Sequence, residues 1–211
     1  MKNLVAVALC LIVANGPLPG WAETPLDGLI RTATTSFPAL PEVRHVPSTI
    51  DLCGGELDAP GLYCTSEGAI YLAETPHAEQ QLFALAHLYG HGIQVQYGLA
   101  DIALARILAD RSQENEVRRK VTSQVECMAG VLLARAGVQM PPLTELFDEE
   151  PMTDAHWGRS PVRRGPAVSI GLALRAEWFG AGYSAGEPSA CSVEDLPADL
   201  IVAADEWPAE R

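Results

Sequence analysis

The stretch AHLYGHGIQVQ, residues 86–96, sets two histidines, His87 and His91, four positions apart. In an α-helix that spacing puts both rings on one face, a turn apart, where they can share a metal ion. A zinc peptidase of the H-E-x-x-H type also needs the glutamate after the first histidine, which acts as general base. Here that position is Leu88, which can neither accept a proton nor hydrogen-bond an attacking water. The residues alone leave two readings open: a metal site without its base, or a histidine pair satisfied near a buried helix face with no metal. His45, His77 and His156 read as loop or surface residues, since none has helical spacing to a partner. His156, in TDAHWG, could face the site, but nothing in the sequence places it there.

The elements that must position such a pair can be read from periodicity. A helix is predicted over about 76–97, with Leu82, Ala86, Ile93 and Tyr97 along one stripe and Gly98 as its stop. A second long helix is predicted over 112–137, with Ser112 as N-cap and Gly137 as C-cap. Val117, Val121, Val125, Met128 and Leu132 form its apolar stripe. A first helix over 24–37 is stopped by Pro38 and Pro41, and a shorter one falls near 100–111. Residues 61–74, GLYCTSEGAIYLAE, read as two short strands around a Ser-Glu-Gly turn. Residues 138–165 read as irregular, and a last helix is expected to begin at Pro166. The fold class is α+β, mainly α, with one small β-hairpin and no internal repeat.

Residues 1–22 read as a secretory leader. Lys2 precedes the apolar run LVAVALCLIVA, which is too short to span a bilayer, and Gly20 and Ala22 supply a small-x-small cut site. A retained anchor is the competing reading. Residues 23–211 suffice for a single domain with its own core. The full chain carries −13, and losing Lys2 makes it one unit more acidic. Such acidity argues against nucleic acid and anionic membrane as partners. Four cysteines remain after the leader: Cys53, Cys64, Cys127 and Cys191. An even count in an exported chain favours disulfides, with three pairings open, over a four-cysteine zinc site that lacks any C-x-x-C spacing.

Several segments in fixed order carry a resemblance. CGGELDAPGLYCTSEGAIYL (53–72), AHLYGHGIQVQYG (86–98), ECMAG (126–130) and RAEWFGAGYSAGEPSAC (175–191) together resemble the bacterial neutral zinc metallopeptidases. Motifs of that family run roughly A-H-E-x-G-H-H-x-Q, then E-L-Q-A-D-C-x-A-G, then R-x-x-W-F-x-x-G ending in a cysteine. The resemblance spans about 140 residues and implies a zincin-like domain in which a metal-site helix packs on a second site helix. It also implies His87 and His91 as metal ligands and the pairing Cys53–Cys64 and Cys127–Cys191. The departures fall on the chemistry. Leu88 stands at the general-base position, Thr122 at the third-ligand glutamate, and Glu126 at a nearby aspartate that supports the ligands. Ser169 falls where the family has a histidine.

Threonine is a poor zinc ligand beside a carboxylate. Glu126 lies one turn past Thr122, about 6 Å along the axis. From there it more easily accepts a hydrogen bond from a histidine ring than reaches the metal, though direct ligation stays open. The expectation is an exported, periplasmic or secreted protein whose metallopeptidase-like domain binds a peptide or protein without cleaving it, zinc being a possible cofactor. The alternative is an active zinc peptidase with an altered third ligand or base.

Overall fold

The run around the histidine pair forms a 19-residue helix, Ala78–Gln96, buried on every side from Leu82 to Gln94. A computed structural model describes residues 23–55, 58–159 and 166–206, so the expected leader lies outside the described residues. In chain order the elements are α1 (Pro25–Ser36), β1 (Glu42–Val46), β2 (Gly61–Cys64), β3 (Ala69–Ala73) and α2 (Ala78–Gln96). Then follow α3 (Leu99–Ala109), α4 (Glu114–Arg135), α5 (Leu143–Leu146), β4 (Trp157–Gly158), α6 (Leu172–Ala185) and α7 (Asp199–Glu206). The architecture is α+β and mainly helical. Among the described residues no helix is long and apolar enough to cross a membrane.

The expected hairpin of β2 and β3 forms, but as the centre of a four-stranded sheet in the order β1-β3-β2-β4. Both central strands are buried along their whole length, while the edge strand β1 is largely exposed. Two parallel additions complete the sheet: β1 beside β3, and the two-residue β4 beside β2, with Tyr63 opposite Trp157. This last pairing places the segment that precedes it. Tyr63 N–H donates to the carbonyl of His156 at 2.9 Å, and Thr65 N–H to that of Gly158 at 2.9 Å.

α2 packs on the sheet with one side and on α4 with another. The two helices approach closely at Gly90, where a Cβ would lie 3.0–3.1 Å from the side chain and carbonyl of Val125. Gln94 then ties them polar-to-polar, its amide donating to the carbonyl of Val121 and to Gln124 Oε1. Gly98, with φ +82°, follows α2 in the left-handed conformation that lets the chain turn into α3.

α4 begins two residues later than its sequence suggests. Asp110, not Ser112, is the capping side chain: it accepts from Ser112 N–H over a 3₁₀ turn, Arg111–Gln113, that leads into the helix. The helix ends at Arg135, with Gly137 left-handed just beyond. On its far side α4 meets α6 at very short range. A Cβ on Gly130 would fall 2.2 Å from the carbonyl oxygen of Phe179, and one on Gly182 1.9 Å from that of Cys127. Only two glycines facing opposite backbones permit this crossing.

α6 starts at Leu172 rather than Pro166, because the backbone donors just before it are committed elsewhere. Val168 N–H donates to the carbonyl of Thr153, and Ile170 N–H to Glu150 Oε1. Glu150 thereby closes the base of an excursion whose described arms are residues 147–159, which run past β2, and residues 166–171.

Candidate metal centre

α2 presents His87 and His91 from its buried interior, with ring centroids 5.0 Å apart. The excursion delivers a third ring, His156, which lies in a loop as the sequence suggests but is buried rather than at the surface. His156 Nε2 lies 2.8 Å from His87 Nε2 and 3.1 Å from His91 Nε2. The rings of His87, His91 and His156 are all buried, and one ion could be held by all three. His45 and His77 are exposed, as expected.

Protonation makes this contact informative. His156 Nδ1 lies 2.5 Å from the carbonyl oxygen of Asp154, so it carries the hydrogen and donates it there. Burial, then the neighbouring His87, holds His156 well below 6.5 and therefore neutral, which leaves its Nε2 as a bare lone pair. His91 is likewise kept neutral by burial first and then by the other two rings. His87 Nδ1 faces Glu126 Oε1 at 3.1 Å, off the line of a good hydrogen bond. The bare Nε2 of His156 thus faces the Nε2 atoms of both His87 and His91. A cation could sit among the three, and imidazole nitrogens are the donors that zinc and similar transition ions take.

Behind His87 the charges are layered. Arg175, fully buried on α6, donates Nη1–H to Glu126 Oε1 and Nε–H to Glu150 Oε1, the latter at 2.7 Å. Burial pushes the Glu150 carboxyl up, but hydrogen bonds from Ser169, Ile170 N–H and Arg175 outweigh it and leave Glu150 below its ordinary value. One guanidinium against two carboxylates leaves a surplus negative charge beside the rings, and Glu126 Oε2 is buried with no hydrogen-bond partner. Both features suit an added cation.

The other expected site residues fall as follows. Glu126 sits on the Nδ1 side of His87, away from the Nε2 cluster, clamped by Arg175. Thr122 is not among the converging atoms; its hydroxyl donates to the carbonyl of Arg118 at 3.1 Å, and it lines a cavity together with His91 and His156. Leu88 is fully buried and packs over Gly61 of β2, where an added Cβ would lie 2.6 Å from its Cδ1. Ser169 is exposed and donates to Glu150 Oε2 at 2.5 Å. The disulfides are Cys53–Cys64 and Cys127–Cys191. Glu67 comes close to the first pair, but both sulfurs there are committed to each other.

No protein-family model, no curated protein and no solved structure matches this chain. Geometry must carry the reading.

The cavity has a volume of about 470 Å³. Its floor holds the buried His91, His156 and Thr122, and its walls include Val95, Ala100 and Trp157. Trp157 stacks on His91, with centroids 4.6 Å apart and planes 17° from parallel, so the second ring of α2 is covered by the residue next to the third.

Proposed function

We propose that this chain is an exported, zinc-binding protein on a metallopeptidase-like, zincin-type scaffold, and that it binds a peptide or protein without hydrolysing it. The observation that carries the proposal is the convergence of three buried imidazole nitrogens, from His87, His91 and His156, with no carboxylate among them. Three protein ligands and one open position is the arrangement of zinc sites accessible to other molecules. A bound zinc would supply Lewis acidity and polarise whatever it touches.

The chain's own residues then do the rest. Glu126 stands behind His87 Nδ1, where carboxylates behind metal-bound histidines orient the ring. The Asp154 carbonyl does the same for His156, and Trp157 screens His91. Among the described residues, the general-base position supplies no proton acceptor. Leu88 is turned into the core over Gly61, and Glu126 is occupied by Arg175 on the wrong side of His87. A general base contributes about 10²–10⁴-fold, so peptide hydrolysis without one is weak. Two paired disulfides support export.

The active-peptidase alternative draws support from the same cluster, because His156 restores the ligand number that Thr122 removes. It still has Leu88 at the general-base position. Purified protein is expected to carry near-stoichiometric zinc, removable by chelators, and to show no chelator-sensitive cleavage of casein or a fluorogenic peptide library. His156→Ala should abolish metal retention while Thr122→Val keeps it. Zinc-dependent cleavage by the unaltered chain would overturn the non-hydrolytic half of the proposal, and metal retention by His156→Ala would overturn the ligand set.

A further inference from the structure

Resting on the zinc reading, we propose that the cavity beside His91 and His156 binds an apolar residue that carries a free carboxylate, the chemistry shared by a peptide C-terminus and a small acylated amino acid. Size comes first. About 470 Å³ is within the range of small-molecule sites, about 300–1,000 Å³. One residue with its end group fits; an extended chain running through does not.

The distribution of polar groups then orients the occupant. The walls are apolar, formed by Val95, Ala100, Leu104, Trp157 and Val168. Arg118, also on the wall, is already engaged by Glu114 at 2.7 Å. Charged groups gather at the exposed rim, where Asp101 and Asp154 have no ion-pair partner among the described residues and Arg159 offsets only one of them. The rim carries both signs of charge and offers a carboxylate no net attraction. At the floor it would meet a divalent ion held by three imidazoles, with no carboxylate among the ligands, and the Thr122 hydroxyl beside them. The anionic head therefore belongs at the floor and the apolar side chain against Trp157 and Leu104. The amide N–H groups of a longer peptide would leave past Asp101 and Asp154, which accept hydrogen bonds. Sequence reasoning could not reach this site, because it depends on where the excursion returns.

The test is calorimetric titration of zinc-loaded and zinc-stripped protein with N-acetyl-leucine, N-acetyl-leucinamide, and a tetrapeptide ending in leucine as free acid and as amide, with metal content measured throughout. The free acids are expected to bind the zinc-loaded form, and the amides at least about tenfold more weakly, since the buried positive site is left without its counter-charge. Leu104→Asp, at an exposed position of α3 where folding is not at risk, adds a third rim carboxylate and should weaken the free acids while metal content stays unchanged. Binding of both free acids identifies a small-carboxylate site; binding of the peptide acid alone identifies a C-terminus reader; either supports the proposal. Equal binding of acid and amide, or no binding to protein that retains its zinc, overturns it and leaves the metal reading standing. Absence of zinc retention overturns both.

Discussion

His91 and His156 are bases held in a place where their charged forms are unfavourable. Both are buried beside other rings and kept well below 6.5. In the unfolded chain the same rings take up protons as pH falls through about 6.5, whereas in the folded chain they do not. The unfolded state then binds more protons, so stability falls on acidification, by up to about 1.4 kcal/mol per pH unit for each ring. The unfolding midpoint of metal-free protein in urea should drop steadily between pH 7 and pH 5, and His156→Phe should lessen the slope; a flat profile in that window would count against the buried neutral cluster. At Leu88 the expectation is equally direct. Leu88→Glu puts a carboxylate into the core above Gly61 with no partner, costing about 3 kcal/mol or more, and restores no cleavage. Thermal unfolding of the variant beside wild type checks it. The histidine pair was legible from its four-residue spacing. His156 was not, because its partners lie 65 and 69 residues away and are reached through a strand of two residues; no periodicity marks such a contact.

Between elements, the tightest constraint is the crossing of α4 and α6 through Gly130 and Gly182. Gly182→Ala would drive its methyl into the Cys127 carbonyl, so the helices must separate, at a cost of about 2–3 kcal/mol. Arg175 rides on α6 and Glu126 on α4, so the variant should also loosen the clamp behind His87; denaturant unfolding and metal content read the two effects separately. The long helices were legible because their apolar residues repeat, although α2 is buried nearly all round and its stripe was only one edge of the truth. The hairpin of β2 and β3 was legible from its β-favouring residues and turn. β1 was not, since an exposed edge strand carries little apolar alternation. The late start of α6 escaped for a different reason: Thr153 and Glu150 occupy the backbone donors of Val168 and Ile170 before a helix can use them.

Across the molecule, the two bridges differ in what they enclose. Cys53–Cys64 closes 11 positions beside the sheet, and Cys127–Cys191 closes 64. Loop-closure entropy assigns about 3 kcal/mol to the shorter and about 4 kcal/mol to the longer, so Cys191→Ser should cost more in urea than Cys53→Ser. The fold's net charge of −13 leaves its stability sensitive to salt at the surface while the covalent ties hold the interior. The longer bridge has a second effect. His87 and His91 are fixed on one rigid helix, and His156 hangs within the bridged loop, so its wandering is bounded even when β4 comes away from β2. The three donors therefore behave as one chelating ligand with a short tether, and the tether sets the effective concentration of the third arm. Cutting it should be visible in the rate at which metal escapes before it is visible in the fold: reduced protein should give up zinc to a chelator faster than oxidised protein under conditions where both remain folded.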